Sequence, residues 1–225
     1  MTATPLGGRV LRERLRLYLI ADADLVAPEL LPAIVERALR GGVTSVQLRA
    51  KRLTTLAQLE LARAVRAICA QGDVPFIVND RVDVALATGA EGAHVGHAGV
   101  EDLPVRDARR LLGPAAILGA SVASAEEAVR AEREGASYVS AGPMFATETK
   151  ADAGPPAGER LLRAVRSATS LPLLAIGGIT AARVPALVAA GADGICVGAA
   201  ILRAADPERA AREIAAAALA RAGVG

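Results

Sequence analysis

The fold of this chain is indicated by a repeated stretch of sequence, GAEGAHV at residues 89–95 and GADGICV at residues 191–197. The pattern recurs as GGVTSV at residues 41–46 and as GASYV at residues 135–139. In each copy we expect the first glycine to end a helix in a left-handed conformation, before a short turn leads into an apolar strand. The copies start 48, 46 and 56 residues apart, about two strand–helix units each. They therefore predict the starts of strands two, four, six and eight.

Short apolar runs alternate with amphipathic segments along the whole chain, as is typical of a parallel sheet covered by helices on both faces. The predicted strands are Leu17–Ala21, Thr44–Leu48, Phe76–Val78, Gly92–Val95, Ala116–Gly119, Tyr138–Ala141, Leu173–Ile176 and Gly194–Val197. The predicted helices include Pro28–Arg40, Leu56–Ala70, Ala125–Glu134, Glu159–Ala168, Ala182–Ala190 and Pro207–Ala220. Candidate helix caps are Thr54, Ser124 and Thr180.

Eight strand–helix units in 225 residues predict an α/β protein with a single (β/α)8 TIM barrel. We expect one domain over residues 1–225, in which residues 1–16 form an N-terminal extension. The chain contains no Gly-x-Gly-x-x-Gly, Walker or Gly-x-Ser-x-Gly motif, which disfavours a dinucleotide-binding fold and an α/β-hydrolase.

Composition and charge exclude several classes of function. The formal net charge is +2 and there is no Trp, so we expect neither nucleic acid nor a membrane as partner. The two cysteines, Cys69 and Cys196, are too few for a disulfide framework and are expected to be buried free thiols. No apolar run is long enough for a membrane helix or a secretion signal. We therefore expect a cytoplasmic enzyme that acts on small molecules and could form a homo-oligomer.

Positively charged residues cluster directly after the predicted strands, where the active site of a barrel enzyme lies. Gln47, Arg49 and Lys51 alternate at the end of strand two, so their side chains share one face. Lys51 and Lys150 are the only lysines among 26 basic residues, and both fall on this rim. A compact ammonium beside a guanidinium and an amide suits a polyanion better than general solvation of a loop. The pattern therefore predicts a polyanion site.

Two carboxylates on the same rim could hold a metal ion. Asp80 follows strand three, and Asp102 lies in the loop after strand four. Mg²⁺ usually takes one or two carboxylates together with substrate phosphates and water, so the pair predicts a shared Mg²⁺ site. Glu101 is an alternative ligand, and Asp80 could also cap the next helix.

Glycine-rich turns after strands seven and eight predict a second anion site. They are Gly177-Gly178 and Gly198-Ala199-Ala200. Phosphate often binds there in barrel enzymes, through backbone amides at the start of a helix. Simple entry into a helix is the alternative interpretation. Two anion sites on one rim favour two phosphorylated substrates over one.

Four further polar residues are weaker candidates. Ser121 follows strand five without an evident His or Asp partner, so we expect it to form hydrogen bonds and not to act as a nucleophile. His94 and His97 are three residues apart across a strand end, so they do not form a metal pair. We expect His94 to be a packed strand residue, while His97 is a candidate for the site. Asp22 is expected to be a structural or substrate-orienting carboxylate.

Six segments of the chain resemble thiamine phosphate synthase, and they come in that family's order. They are YLIAD at 18–22, QLRAK at 47–51, VNDRVDVA at 78–85, EDLP at 101–104, GPMFATETK at 142–150 and IGGIT at 176–180. The resemblance implies a transferase that joins hydroxymethylpyrimidine diphosphate to hydroxyethylthiazole phosphate. Mg²⁺ would help pyrophosphate leave, and the thiazole nitrogen would capture a pyrimidine-methyl cation to give thiamine phosphate.

The resemblance also implies a role for each matching residue. Lys51, Ser121 and Lys150 would be catalytic, because they would hold the leaving pyrophosphate. The diphosphate would be bound by Gln47, Arg49, Lys51, Asn79 and Lys150, and Mg²⁺ by Asp80 and Asp102. The thiazole phosphate would be bound by Thr147, Thr149, Gly178, Gly198 and Ala199.

Two alternative functions use the same barrel. A thiazole tautomerase handles a thiazole carboxylate phosphate and needs no diphosphate site, so Lys51 and Asp80 favour the synthase over it. A non-catalytic regulator that binds thiamine phosphates is the second alternative. It would have no need of paired metal-binding carboxylates, and these again favour the enzyme.

Overall fold

The computed structural model describes residues 8–96, 103–147 and 155–219. These residues form a closed barrel of eight parallel strands, in which each strand pairs with the next and β1 pairs with β8. The strands are β1 (Leu17–Asp22), β2 (Ser45–Arg49), β3 (Phe76–Asn79), β4 (Gly92–Val95), β5 (Ile117–Val122), β6 (Tyr138–Ala141), β7 (Leu173–Ile176) and β8 (Gly194–Val197). The predicted (β/α)8 barrel is confirmed, and the four glycine repeats do lead into strands two, four, six and eight.

Helices cover the outside of this barrel. Within the described ranges they are α1 (Gly8–Arg14), α2 (Leu31–Arg40), α3 (Thr55–Gln71), α4 (Val82–Thr88), α5 (Val105–Leu112), α6 (Ala125–Arg133), α7 (Gly158–Ala168), α8 (Val184–Ala189), α9 (Ala199–Leu202) and α10 (Pro207–Leu219). Short 3-10 helices at Pro28–Leu30 and Ala181–Arg183 precede α2 and α8. None of the helices in this part of the chain is long and apolar enough to cross a bilayer.

Strand β5 differs most from its prediction, because it continues to Val122 and does not end at Gly119. Its pairing with β6 explains the extension, since Ser121 lies opposite Ser140 and Val122 opposite Ala141. Ser121 is therefore held in the sheet, and it is not part of the loop that follows.

Two apolar layers stabilise the barrel, and β1 contributes to both. Leu19 and its outward neighbours pack under the helices, whereas Tyr18 and Ile20 point into the barrel. The inner layer also contains Leu11 of α1 and Leu15, both of which are buried. The segment before β1 thus closes the amino end of the barrel and leaves the carboxyl end as the open mouth.

Two of the three predicted helix caps are confirmed. The Thr54 side chain accepts a hydrogen bond from the Ala57 amide at 3.4 Å, and the Ser124 side chain accepts one from the Glu127 amide at 3.2 Å. Thr180 makes no such bond, so that prediction is wrong. The residues after Thr180 form a 3-10 helix and not the first turn of an α-helix, and the hydrogen-bond geometry of a 3-10 helix differs from that of an α-helix.

The left-handed glycine was predicted correctly in three of the four repeats, at Gly89, Gly135 and Gly191. In the first repeat the prediction of Gly41 is wrong, because Gly42 has the positive φ, of 100°, and Gly41 has a φ of −78°. Gly41 meets a different requirement. A Cβ there would lie 2.3 Å from the Glu208 carbonyl oxygen, so only glycine lets α10 pack this closely.

Candidate active site

A pocket opens at the carboxyl ends of the strands and reaches down into the barrel. It brings together most of the residues that the sequence predicts for the site. Those that line it are Gln47, Arg49, Lys51, Asn79, Asp80, Ser121, Thr147, Gly178, Gly198 and Ala199. Asp102, Thr149 and Lys150 lie outside the described residues, as do His97 and Glu101.

The basic wall of the pocket is the end of β2. Arg49 Nη1 donates to Asp22 Oδ2 at 2.8 Å and lies 3.3 Å from Asp24 Oδ2. Asp22 also accepts a hydrogen bond from the Asp24 amide, at 2.9 Å. The two carboxylates therefore fix the guanidinium at the pocket wall, which agrees with the structural role predicted for Asp22.

Asp22 is fully buried at the end of β1. Burial raises the pKa of its carboxyl above the ordinary value for Asp, although the Asp24 amide and the Arg49 guanidinium both act in the opposite direction. The carboxylate is thus a buried charge whose partners are necessary, and the loss of Arg49 would leave it without its cation.

The basic wall continues at the end of β3, the strand that pairs with β2. Lys51 Nζ lies 3.3 Å from Asp80 Oδ2, and Asn79 Nδ2 donates to the same oxygen at 2.6 Å. Asp80 has a φ of 59°, in the left-handed region that Asp and Asn tolerate better than most other residues. This backbone conformation sets the direction of the carboxylate relative to Lys51.

Asp80 is the one predicted metal ligand within the described residues. No group of three or more His, Cys, Asp or Glu side chains that could hold a metal ion occurs in residues 8–96, 103–147 and 155–219. One carboxylate at the mouth of a pocket still suits Mg²⁺, because that ion keeps several waters and takes oxygens from a substrate phosphate. The donor chemistry of Asp80 therefore fits, provided that phosphate and water oxygens complete the set.

Below the mouth, five polar side chains are hydrogen-bonded in series, and we call them the interior chain: Gln47, Tyr18, Tyr138, His94 and Ser121. Gln47 Nε2 donates to the Tyr18 hydroxyl at 3.0 Å, and the two tyrosine hydroxyls are 2.8 Å apart. His94 Nδ1 is 3.0 Å from the Tyr138 hydroxyl, and His94 Nε2 is 3.0 Å from Ser121 Oγ. The interior chain thus connects two predicted site residues through three residues that were not predicted for the site.

The prediction that Ser121 lacks a histidine partner is wrong. His94 is buried in its strand as expected, but it also lines the pocket, which was not predicted. The two residues are on neighbouring strands, 27 positions apart, so no local spacing could reveal the contact. The available signal was that both tyrosines of the chain fall in strands, since a buried phenol needs a hydrogen-bond partner.

Tyr18 and Tyr138 lie at the centre of the barrel, and burial raises the pKa of both phenols far above their ordinary value. Their rings are tilted with centroids 5.8 Å apart, and the His94 ring is 5.6 Å from that of Tyr138. Gly119 makes room for this arrangement. A Cβ there would lie 2.2 Å from the Tyr138 ring and 2.4 Å from His94 Nδ1.

Ser140 adds a hydroxyl that has no hydrogen-bond partner among the described residues. It is buried, lines the pocket and lies directly opposite Ser121 in the pairing of β5 with β6. An unsatisfied buried hydroxyl is unfavourable, because it has lost water without gaining a partner.

The far side of the pocket is formed by backbone. A Cβ on Gly178 would lie 2.4 Å from the Ala146 carbonyl oxygen, so the turn after β7 lies tightly against the loop after β6. The Arg183 guanidinium stacks on the Phe145 ring of that loop, 4.2 Å from its centroid. Thr147 follows in the same loop and faces the pocket.

Helix α9 begins beside this turn. Gly198 precedes it, and the Gly198 carbonyl oxygen accepts from the Ile201 and Leu202 amides. The first amides of a helix have no acceptor within the helix itself, so those at Ala199 and Ala200 can donate to a ligand. Both residues line the pocket.

Comparison with known proteins identifies the family. Residues 17–201 match the family described as thiamine monophosphate synthase. The thiamine-phosphate synthase of Roseiflexus castenholzii is 47% identical over 197 residues, covering 88% of this chain and 85% of the relative. The thiamine-phosphate synthase of Methanoculleus marisnigri is 46% identical over 198 residues, covering 88% of this chain and 92% of that relative. The solved thiamine phosphate pyrophosphorylase from Pyrococcus furiosus superposes with a TM-score of 0.83 at 38% identity, covering 92% of this chain and 97% of that one. The chain therefore belongs to the thiamine monophosphate synthase family.

Proposed function

We propose that this protein is a thiamine-phosphate synthase. It joins hydroxymethylpyrimidine diphosphate to hydroxyethylthiazole phosphate and releases thiamine phosphate and pyrophosphate. The observation that carries the proposal is the pairing of Lys51 with Asp80 in a pocket whose other side is the glycine turn at Gly178. One pocket thus offers a charged wall for a diphosphate and a backbone wall for a monophosphate, in a chain that belongs to this family.

The diphosphate is assigned to the charged wall. Gln47, Arg49, Lys51 and Asn79 line it with donors, and Lys150 from the loop after β6 is assigned to the same group. When the carbon–oxygen bond breaks, pyrophosphate leaves with the electron pair and the pyrimidine methylene becomes a cation. Donors that are already in place stabilise the developing negative charge without reorganisation, so the step needs fixed positive charge more than a general base.

Mg²⁺ is the proposed metal, with Asp80 and Asp102 as its protein ligands. Bound there, it would neutralise part of the charge of the leaving pyrophosphate. The chain's own part is to hold Asp80 in its left-handed conformation, 3.3 Å from Lys51, so that both charges face the same phosphate oxygens.

The thiazole phosphate is assigned to the backbone wall. Thr147 and Thr149 would donate hydroxyl hydrogens, and Gly178, Gly198 and Ala199 would donate backbone amides. With its phosphate held there, the thiazole nitrogen would use its lone pair to form the carbon–nitrogen bond with the cation. Ser121, whose Oγ is 3.0 Å from His94 Nε2, lies below both walls and is assigned to the leaving pyrophosphate.

The proposal also covers the domain organisation, the location and the partners of the protein. The whole chain is assigned to one barrel domain over residues 1–225, with residues 1–16 as an N-terminal extension. The enzyme is assigned to the cytoplasm, with small molecules as its substrates and homo-oligomers as a possible assembly. Thiazole tautomerase and a non-catalytic regulator are not favoured, since no feature of the pocket calls for either.

The proposal is tested by mixing the purified protein with both substrates and Mg²⁺. Thiamine phosphate is then measured as its fluorescent thiochrome. We expect a signal that needs both substrates and disappears with EDTA. Folded protein that binds thiazole phosphate but gives no product would contradict the synthase and direct attention to the tautomerase.

A further inference from the structure

The interior chain links Gln47 at one side of the pocket to Ser121 at the other through buried groups only. Every link is between 2.8 and 3.0 Å, so each is a well-formed hydrogen bond. A series of this kind has a direction, because each hydroxyl brings one hydrogen and can give it to one neighbour only.

We propose that the interior chain fixes His94 as the tautomer protonated on Nε2, so that His94 donates to Ser121 and the Ser121 hydroxyl hydrogen is turned toward the substrate. This makes His94, Tyr138 and Tyr18 positioning residues that act through Ser121. The inference rests on the proposed function, since the substrate concerned is the diphosphate of that reaction.

The direction follows from Gln47, whose amide nitrogen can donate but cannot accept. If Tyr138 donated to Tyr18, the Tyr18 hydrogen would have no acceptor, because among the described residues its hydroxyl is hydrogen-bonded only to Tyr138 and to the Gln47 amide nitrogen. A buried donor without a partner is unfavourable, so Tyr18 donates to Tyr138. By the same reasoning Tyr138 donates to His94 Nδ1. That nitrogen therefore carries no hydrogen, and the neutral ring has its hydrogen on Nε2.

The tautomer of His94 determines where the Ser121 hydroxyl hydrogen points. Its oxygen accepts the hydrogen of His94 Nε2, so its own hydrogen is not used in the interior chain. Because Ser121 lines the pocket, that hydrogen is available to an oxygen of the leaving group. In the opposite direction Ser121 would donate to His94 and would offer the substrate only a lone pair, which repels a phosphate oxygen.

Packing keeps the series in this arrangement. Burial raises the pKa of the Tyr18 and Tyr138 phenols, so both keep their hydrogens through the ordinary pH range. The space left by Gly119 is the space that the Tyr138 and His94 rings occupy, so neither ring can turn away without leaving a void. The charged groups of Arg49, Lys51 and Asp80 lie at the mouth of the pocket, above the interior chain.

The tautomer can be measured directly on the whole protein without substrate. The chain has only two histidines, so labelling with ¹⁵N-histidine gives two ring systems, and His97→Gln identifies the His94 signals. At neutral pH we expect the His94 Nε2 signal of a protonated nitrogen and the Nδ1 signal of an unprotonated one. A hydrogen on Nδ1, alone or together with one on Nε2, would overturn the proposal. Tyr138→Phe, which removes the donor to Nδ1 at little change in volume, should shift the tautomer balance toward Nδ1.

The action through Ser121 is tested by a double-mutant cycle on kcat and KM. We expect Tyr138→Phe to lower kcat roughly 3- to 10-fold, the effect of one misdirected hydrogen bond, with little change in KM. In a Ser121→Ala background the same substitution should cost less than about two-fold, because the hydroxyl it orients is gone. Equal losses in both backgrounds would mean that Tyr138 acts independently of Ser121, which would contradict the proposal.

A conservative replacement gives a further check. His94→Gln retains an amide donor that can reach Ser121, whereas His94→Leu does not, so we expect His94→Gln to keep several-fold more activity. Equal activity of the two variants would contradict the proposal. If the wild-type protein has no synthase activity, the proposed function fails, while the nitrogen signals still decide the tautomer.

Discussion

Lys51 Nζ lies 3.3 Å from Asp80 Oδ2 at the mouth of the barrel. The two residues come from the ends of neighbouring strands, and the ammonium side chain remains partly exposed to the pocket. A cation and a carboxylate this close can meet the same phosphate group, the first directly and the second through Mg²⁺. We therefore expect Lys51 to bind the leaving pyrophosphate directly and Asp80 to bind it through Mg²⁺, and the two roles can be tested separately.

Replacing Lys51 should weaken diphosphate binding without affecting the fold. Lys51→Ala removes a charge beside the leaving group, and we expect inorganic pyrophosphate to bind at least ten-fold more weakly by calorimetry in the presence of Mg²⁺. Stability should change by only about 0.5 kcal/mol, as for other exposed side chains. Arg52→Ala is the matched control, since Arg52 pairs with Asp24 and does not line the pocket. Equal pyrophosphate affinity in the two variants would refute the role of Lys51.

Asp80 should control the affinity for Mg²⁺. Asp80→Asn removes the charge, and Asn still tolerates the left-handed backbone at a φ of 59°. We expect the variant to fold normally but to need at least ten-fold more Mg²⁺ for half-maximal pyrophosphate binding. An unchanged Mg²⁺ requirement would show that the metal is held without Asp80.

Gly119 should tolerate no side chain. A Cβ would lie 2.2 Å from the Tyr138 ring, so Gly119→Ala forces the rings apart and should lower the free energy of unfolding by about 1–3 kcal/mol. Gly72→Ala is the control, because its nearest contacts are at 3.7 Å and its φ is −91°. Urea denaturation of both variants measures the difference. Equal stability would mean that the barrel interior is looser than this packing implies.

Ser140 should be dispensable for stability, because its buried hydroxyl has no hydrogen-bond partner among the described residues. We expect Ser140→Ala to leave stability unchanged or to raise it by up to about 1 kcal/mol. Ser45→Ala is the contrast, since Ser45 is fully buried and donates to the Arg14 carbonyl oxygen. That variant should lose about 1 kcal/mol in the same denaturation experiment. A destabilised Ser140→Ala would indicate that the hydroxyl is satisfied in solution.

The barrel and the rim could be predicted because their signals are local. Apolar runs and terminal glycines mark the strands, and residues that follow strands of a parallel barrel meet at one end, which is why Lys51 and Asp80 were correctly expected in the same place. Asp102, Thr149 and Lys150 lie outside the described residues, so their roles stay predictions.

The interior chain could not be predicted, because hydrogen bonds across the barrel depend on register. Tyr18 and Tyr138 are 120 residues apart and meet only after the strands have closed. The error at Gly41 has a similar cause, since the close contact there is with Glu208 of α10, far along the sequence. Contacts between distant segments decide such details, and no local pattern records them.

The most direct test of the account compares three proteins in one assay, the wild type, Lys51→Ala and Arg52→Ala, each with both substrates and Mg²⁺. We predict that the wild type and Arg52→Ala form one thiamine phosphate for each pyrophosphate released, and that Lys51→Ala loses at least 100-fold in rate while still folded. Wild-type protein that releases pyrophosphate without forming thiamine phosphate, or a fully active Lys51→Ala, would contradict the account.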